Sequence, residues 1–542
     1  MSFVPRAFLS ALGVLATAAA AAQAVAPPVA KKDPKTVTLH GDTLVDEYHW
    51  LRNKGTPEVE AHLRAELAYA EAMMRPTAAL QQKLYDEMLG RIQQTDTRVP
   101  YLDRGYFYYS RTEEGKQYPI FARRKGSLDA PEEVLIDVNR LAEGKKFMSV
   151  GGLAVSPDGQ LLAYTTDETG FRQYRLSVKD LRTGTVRPET AERVTALTWS
   201  EDGRTLLYGV EHPQTKRSYR ILRQVLGVKD PVLVYEEKDE RFNTWVWKSR
   251  DHRWLFIDAG SHTTSESRFA PADRPAGDWK IVSPREQGHE YDVEPHGDTL
   301  WIRTNDEGRN FRLVTAPAAD PARASWKEVM AHREDVMLAG HWVFKDFTVV
   351  LEREAGFPKL RVTDLASGQS HRIEVPEEAA LILPGDNREF EARLLRFTYE
   401  SPITSPSVYD YDPRTRERTL LKQVAVLGGF DPARYRVEVR HAAAPDGVKV
   451  PYWVLFRKDL KLDGTGAAFL NAYGSYGSSS SAAFSSNVFS LVDRGVVYAM
   501  AYIRGGGELG KKWHDEGRML KKKNTFTDFI AVAEDLVASK YA

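Results

Sequence analysis

A polar turn followed by a short apolar strand recurs seven times between residues 99 and 423, and this repeat constrains the fold more than any other feature. In most copies the turn contains Asp or Gly, and the strand that follows is aliphatic or aromatic. The copies occupy residues 103–108, 158–164, 202–208, 251–256, 297–302, 345–350 and 387–397. Units spaced about 45 to 50 residues apart are typical of β-propellers, in which each blade buries its faces on its neighbours.

We therefore predict a seven-bladed β-propeller over residues 85–430. A pair of β-sandwiches is the alternative that the same succession of strands and turns allows.

The pattern changes after Gly429, where strands are predicted at residues 437–439, 450–456, 467–470 and 496–503. The last strand is apolar without alternation, as a parallel strand buried on both faces should be, and it leads into Gly505, Gly506 and Gly507. Strand, glycine turn and helix in this order predict a partial α/β-hydrolase domain at residues 431–542, with its chemistry at the carboxyl ends of the strands.

The closing helix of this region is predicted to be capped by Thr525, with Asp528 three residues later. Its predicted buried stripe consists of Phe526, Phe529, Ile530, Ala533, Leu536 and Val537. Because we expect the neighbour of strand 496–503 to lie beyond residue 542, we predict that this strand forms an exposed apolar edge.

Gly505, Gly507 and Gly510 fit the glycine spacing of a dinucleotide-binding turn, but the context does not. Such a site needs a helix that opens on the third glycine and an acidic residue that ends the next strand. Residues 511–517 are too short and broken for that helix, and Asp528 falls at the start of a later one. We therefore predict no nucleotide and no other cofactor.

Composition excludes several classes of function. The chain has 75 basic and 75 acidic residues, so its zero formal charge argues against a nucleic-acid partner. With 0 cysteines it has no disulfide, thiolate metal site or cysteine nucleophile. A cluster of His and acidic side chains at residues 289–296 suggests a metal, but we interpret it as a solvated loop and predict no metal site.

Residues 1–26 have the features of a secretory signal peptide, with Arg6 before an alanine-rich apolar run and small residues at Ala24 and Ala26. The run is too short and too weakly apolar for a membrane anchor. We expect export, to the periplasm if the source is a bacterium, and no membrane span in the mature chain. Residues 27–84 are then predicted to contain two amphipathic helices, the first capped by Thr56 with Pro57 at its first helical position, and the second starting at Thr77.

Four segments resemble the prolyl oligopeptidase family of serine peptidases, and within it the oligopeptidase B branch. They are Tyr-Gly-Ser-Tyr-Gly at 473–477, Asp-Arg-Gly at 493–495, Arg-Gly-Gly-Gly-Glu-Leu-Gly at 504–510, and Lys-Lys-Lys-Asn-Thr-Phe at 521–526. The resemblance implies that Tyr473 donates its hydroxyl to the oxyanion and that Tyr476 lines the substrate pocket. It also implies that residues 27–84 pack on the hydrolase domain.

The implied activity is hydrolysis of short peptides after Arg or Lys, with the propeller limiting access to small substrates. Where the branch carries two aspartates that hold a second basic side chain, this sequence has Ser481 and Ala483. A preference for paired basic residues is therefore not expected. Cleavage after proline is the alternative specificity, and the oligomeric state is not predicted.

No Gly-x-Ser-x-Gly nucleophile elbow occurs in the sequence, and His514, the last histidine, precedes the place where the elbow is expected. We predict that the Ser, Asp and His of the triad lie beyond Ala542 and that the chain as given is an inactive fragment. The alternative from another class is a non-catalytic peptide-binding propeller protein.

Overall fold

The structure is a computed structural model that describes residues 26–542, so the predicted signal peptide lies outside the described residues except for Ala26. The chain divides into two compact units, one that ends at Glu87 and one that runs from Met88 to Ala542. No helix within the described range is long and apolar enough to cross a membrane.

The first unit contains a two-stranded hairpin and the two predicted helices. Its elements are β1 (Lys35–Leu39), β2 (Asp42–Asp46), α1 (Pro57–Met74) and the start of α2 (Ala78–Gly90). Trp50 forms a small core, donating from Nε1 to the Lys31 carbonyl at 2.9 Å and meeting the His62 ring edge-on at 5.7 Å. Thr56 occupies the predicted capping position, but its hydroxyl donates to the Asn53 carbonyl. The packing of residues 27–84 on the hydrolase domain stays a prediction.

Seven antiparallel sheets of the second unit form the predicted seven-bladed propeller. Blade one contains β3 (Asp96–Thr97), β4 (Tyr101–Asp103), β5 (Tyr106–Thr112), β6 (Ile120–Lys125) and β7 (Glu133–Asp137), followed by the short helix α3 (Val138–Leu141). Blade two contains β8 (Ser149–Val155), β9 (Leu161–Asp167), β10 (Arg175–Asp180) and β11 (Val186–Ala191). Blade three contains β12 (Val194–Trp199), β13 (Thr205–Glu211), β14 (Ser218–Val225) and β15 (Val232–Glu236).

The remaining blades repeat this arrangement. Blade four contains β16 (Asn243–Lys248), β17 (Trp254–Gly260), β18 (Ser265–Pro271) and β19 (Lys280–Ile281), and blade five contains β20 (Tyr291–His296), β21 (Thr299–Thr304), β22 (Arg312–Pro317) and β23 (Lys327–Met330). Blade six contains β24 (Val336–Val343), β25 (Phe347–Glu354), β26 (Phe357–Asp364) and β27 (Ser370–Arg372). Blade seven contains β28 (Leu381–Pro384), β29 (Leu395–Ser401), β30 (Thr404–Tyr411) and β31 (Arg418–Gln423).

Each turn-and-strand unit predicted from the sequence lies at the hairpin between the first two long strands of a blade, so the blade count is confirmed. Apolar side chains fill the spaces between blades, as where Leu176 and Val178 of blade two meet Trp199 of blade three.

The seventh blade and the first share no strand, and polar contacts join them. Arg396 of blade seven donates to the Pro100 carbonyl at 2.6 Å. The Arg104 backbone N–H donates to Glu389 at 2.7 Å, and the Lys422 ammonium contacts Asp96. Side chains rather than a strand ladder therefore close the ring.

The α/β region forms one sheet of four strands in the order β32-β33-β35-β34. Its elements are β32 (Tyr435–Ala443), β33 (Lys449–Arg457), β34 (Ala468–Ala472), α4 (Phe489–Val492), β35 (Val497–Ala501), α5 (Lys511–Asp515) and α6 (Lys523–Ala538). Only β34 and β35 are parallel, while β35 also pairs antiparallel with β33.

The prediction that residues 496–503 form an exposed edge was wrong. The chain crosses over after β34 and returns so that β35 lies between β33 and β34, buried on both sides by paired strands. The edge strands of the described sheet are β32 and β34, and Phe469 in β34 is 48% exposed.

The buried face of α6 also differs from the predicted stripe. Thr525, Asp528, Val532 and Leu536 are buried, whereas Phe526, Ile530 and Val537 are more than half exposed. The reason is that Thr525 and Asp528 have buried polar partners, so polar side chains take the inner face that apolar spacing alone assigned to phenylalanine. One face of the sheet packs on α6, and the other packs toward the propeller through Tyr502 and Phe357.

Candidate active site

Tyr473 follows β34 directly and lies at the carboxyl end of the parallel strand pair, where α/β sheets place their chemistry. The residue is 56% exposed, and it lines a cavity at this end of the sheet. Residues 473–481 form the turn that carries this tyrosine, and we call them the oxyanion turn after the role that the family resemblance implies for Tyr473.

Residues 505–510, which follow β35 and which we call the glycine segment, are hydrogen-bonded along the oxyanion turn. Gly477 N–H donates to the Gly505 carbonyl at 3.0 Å, and Gly507 N–H donates to the Ser478 carbonyl at 3.2 Å. A Cβ on Gly505 would lie 2.3 Å from the Gly474 oxygen, and a Cβ on Gly507 would lie 2.2 Å from the Gly477 oxygen. The glycines are therefore needed for close approach of two backbones, which explains the dinucleotide-like spacing without a nucleotide.

Glu508 continues this contact with its side chain. The residue is 1% exposed, and its Oε1 accepts the Ser480 backbone N–H at 2.7 Å. The other oxygen, Oε2, is buried with no hydrogen-bond partner among residues 26–542. Burial raises the pKa of Glu508, although the Ser480 hydrogen bond and the charge of Arg353 in blade six oppose the shift.

Lys522 holds the start of the turn. Its ammonium donates to the Gly474 carbonyl at 2.6 Å and to the Ser475 hydroxyl at 2.8 Å. Burial lowers the pKa of Lys522. Two groups of contacts therefore hold the turn. Lys522 holds Gly474 and Ser475, and the glycine segment together with Glu508 holds the turn from Gly477 to Ser480.

Arg504 anchors the glycine segment to α6. Its guanidinium donates to Asp528 at 2.6 Å and to Asp446 at 2.5 Å, and Arg504 and Asp528 are both buried. Thr525 does not cap α6 as predicted, because the helix begins at Lys523 and the Thr525 hydroxyl donates to the Arg504 carbonyl at 2.7 Å. The Thr525 and Asp528 pair is therefore a support for the turn.

The structure brings three of the four predicted site residues together. Tyr473, Ser481 and Ala483 line one cavity of about 450 Å³ at the end of β34. Tyr476 lines a second cavity, where its ring stacks at 6.0 Å on His262 from the propeller. Tyr476 has a φ of 57°, an unfavourable value for an aromatic residue that the surrounding turn must enforce.

Among residues 26–542 no serine hydroxyl is hydrogen-bonded to a histidine, and His514 lies in α5 beside Gly477. The location of the triad beyond Ala542 therefore stays a prediction.

The histidine and acidic cluster at residues 289–296 is not the solvated loop that we predicted. Residues 291–296 form β20, the first strand of blade five, and His289 is 4% exposed. Asp292 pairs with Arg303 and contacts the His341 ring, so the carboxylate already has partners within the propeller. Within the described residues no group of three or more such side chains could hold a metal ion.

Glu508, Lys522 and the Arg504–Asp528 pair were missed as site residues. All of them except Asp528 lie in the segments that carried the family resemblance, but nothing local to those segments indicates their contacts. Ser480 is 28 positions from Glu508, and Gly474 is 48 positions from Lys522.

Comparisons with known proteins agree with this geometry. The profile described as "Prolyl oligopeptidase, N-terminal beta-propeller domain" matches residues 27–424, and that of the "Prolyl oligopeptidase family" matches residues 482–542. Dipeptidyl aminopeptidase BI of Pseudoxanthomonas mexicana is 42% identical over 97% of this chain and 75% of its own length. Protease 2 of Moraxella lacunata is 32% identical over 95% of this chain and 75% of its own length.

Solved structures give the same result. Oligopeptidase B from Leishmania major superposes with a TM-score of 0.89 at 32% identity, covering 95% of this chain and 77% of that one. Oligopeptidase B from Trypanosoma brucei, solved with covalently bound antipain, has a TM-score of 0.88 at 30% identity and the same coverage.

Proposed function

This chain belongs to the prolyl oligopeptidase family of serine peptidases, and from that premise we propose that it binds short peptides and supplies Tyr473 as an oxyanion donor for their hydrolysis. The observation that carries the proposal is the exposed Tyr473 on a turn held by backbone and side-chain hydrogen bonds. A tetrahedral intermediate requires donors that are fixed before charge develops on its oxygen.

We further propose internal cleavage after a single Arg or Lys. The resemblance to the oligopeptidase B branch supports the basic residue at the cleaved bond. Ser481 and Ala483 line the cavity beside Tyr473 and supply no carboxylate for a second basic side chain. Access for short peptides alone is proposed from the family resemblance, in which the propeller limits access; a cavity of about 590 Å³ lies among the inner strands of this propeller. Export to the periplasm is proposed from residues 1–26.

Release of dipeptides from a free amino terminus is a second candidate activity. It is favoured by the 42% identity to a protein named dipeptidyl aminopeptidase BI.

One experiment separates the two activities. A form of the protein that also carries the downstream part of the peptidase domain found in its relatives is incubated with one arginine-containing peptide, either with a free or with an acetylated amino terminus. Mass spectrometry of the products should show cleavage after Arg in both peptides. Release of dipeptides from the free form alone would favour the second candidate, and cleavage of neither would favour a peptide-binding protein without catalysis.

A further inference from the structure

A second cavity beside the oxyanion turn has an unusual charge. Its volume is about 440 Å³, and its walls include Ser475 and Tyr476 of the turn together with His262 of the propeller. Lys511, Arg518 and Lys522 also line it, whereas no Asp or Glu does among the described residues. We call it the basic cavity.

Lys522 has no carboxylate within ion-pair distance in the described part of the chain. Two of the three N–H groups of its ammonium are used by the Gly474 carbonyl and the Ser475 hydroxyl, so one donor remains. Burial lowers the pKa of Lys522, because the charged ammonium is partly withdrawn from water. An anion in the cavity would compensate that charge.

The other cations around the cavity are only partly neutralised. Lys511 pairs with Glu290 at 2.8 Å, while Arg309 and Arg518 share the single carboxylate of Asp515 at 2.5 and 3.0 Å. Of the three cations that line the cavity, Lys511, Arg518 and Lys522, only Lys522 has no carboxylate partner among the described residues, while Arg518 shares its partner with Arg309 from outside the lining.

The same positive charges act on His514, which also lines the cavity. Burial and then the charges of Arg518, Lys511 and Arg309 lower the pKa of His514, against the influence of Asp515. The charged side chains that line the cavity in the described structure are those of Lys511, Arg518 and Lys522.

We propose that the basic cavity binds a carboxylate of the peptide substrate. The proposal rests on the proposed function, because it assumes that the ligand is a peptide held against the oxyanion turn. Ser475 and Tyr476 line the cavity, so a carboxylate bound here lies a few residues along the turn from Tyr473. A peptide offers this group either as its C-terminus or as an Asp or Glu side chain. In a short peptide the C-terminus is always near the cleaved bond, so the cavity would contribute to selection for short substrates.

Peptide binding to the 542-residue chain tests the proposal by calorimetry. The probes are an acetylated pentapeptide of neutral residues with a free C-terminal carboxylate, the same peptide as the C-terminal amide, and the amide with one Glu. The free acid should bind about tenfold more tightly than the amide, a difference equal to one well-placed charged hydrogen bond. The Glu-containing amide should recover the affinity if a side-chain carboxylate is accepted, and should match the plain amide if the site takes only a C-terminus.

Substitutions locate the effect. Arg518→Gln and Lys522→Met should each reduce the preference for the free acid at least threefold. In the described structure the Arg518 side chain pairs with Asp515 and makes no hydrogen bond to the oxyanion turn, so its variant separates ligand binding from turn structure. Lys521→Met is the matched control, because it removes the same charge from the adjacent residue, which pairs with Glu516 and does not line the cavity.

Three results would contradict a carboxylate site in the basic cavity. The free acid and the amide could bind equally well, or Lys521→Met could lose the preference for the free acid as much as the cavity variants do. The third is that none of the three peptides binds at all. Cleavage of arginine-containing peptides by the longer form would in each case leave the proposed hydrolysis standing.

Discussion

Glu508 shows at the scale of one residue how the peptidase sheet and the propeller share a site. Its carboxyl group fixes Ser480, and it is buried within the influence of Arg353 from blade six. The opposite charge only partly offsets the cost of burying the carboxylate, because burial raises the pKa of Glu508 and also lowers the pKa of Arg353.

This burial predicts a pH-dependent gain from Glu508→Gln. Because the pKa of Glu508 is higher in the folded protein, its stabilising contribution is full below the unfolded pKa of about 4.3 and is lost as the pH rises through the folded pKa. Glutamine still accepts the Ser480 N–H but carries no charge, so the variant should melt at a higher temperature than the parent near pH 8, and the gain should shrink near pH 4. Calorimetry at both pH values measures this, with Glu534→Gln on the outer side of α6 as the control. A difference in melting temperature that stays constant across pH would show that the buried Glu508 carboxylate is not the source of the gain.

Ser481 and Ala483 give a prediction about specificity. Replacing both by Asp places two carboxylates in the cavity that also contains Tyr473, where charge-assisted hydrogen bonds can hold a second basic side chain. The double variant of the longer form should therefore prefer Arg-Arg over single-Arg substrates by about tenfold in kcat/KM. The parent should show no such preference, and a parent that already favours paired bases would reveal another acidic group in this role.

At this scale the sequence indicated the role of a residue only where its interaction partners are close to it in the chain. Tyr473 was identified because its neighbours form a specific local pattern. Glu508 and Lys522 were quoted within such patterns without a role, since their functions depend on Ser480 and Gly474, which the fold alone brings close.

The glycine segment and the oxyanion turn act together as one element. Gly507→Ala would place a Cβ 2.2 Å from the Gly477 oxygen, and the backbones must separate to admit it. We expect a loss of about 1 to 3 kcal/mol in stability, as for other overpacked sites, and faster hydrogen exchange at the amides of residues 473–484. Gly466→Ala is the control, because its Cβ would meet nothing closer than 3.8 Å. Unchanged exchange in Gly507→Ala would show that the segment does not hold the turn.

The repeats and the strands were predicted from the sequence more accurately than the order of the strands in the α/β sheet. The propeller turns were visible because Asp, Gly and the following strand are neighbours in sequence. The position of β35 between β33 and β34 depends on a crossover of more than twenty residues, which periodicity cannot reveal. Similarly, the inner face of α6 could not be assigned from apolar spacing, because Asp528 is buried by its pairing with Arg504.

At the scale of the second unit, propeller and partial hydrolase sheet are joined by a continuous set of contacts. Asn310 of blade five accepts the Lys511 N–H at 3.1 Å, Glu400 of blade seven accepts the Phe484 N–H at 3.0 Å, and Phe357 meets the Tyr502 ring edge-on at 5.6 Å. The sheet also has its own core against α6.

Limited proteolysis of the 542-residue chain should therefore leave a resistant fragment that contains both the propeller and the sheet through α6. The sheet should resist cleavage because its strand β35 is paired on both sides, with β33 and with β34. Mass spectrometry of the fragment identifies its ends. A core that ends near Gln423 would show that the sheet does not hold together with the propeller.

We propose that Tyr473 lies where a peptidase of this family stabilises the oxyanion. The most direct measurement is the kinetics of Tyr473→Phe in the longer form, using an arginyl peptide substrate. Loss of one such donor costs about 3 kcal/mol, so kcat should fall roughly a hundredfold while KM changes little, since the hydroxyl acts as charge develops. An unchanged kcat would contradict the claim and leave Tyr473 as a packing residue of the turn.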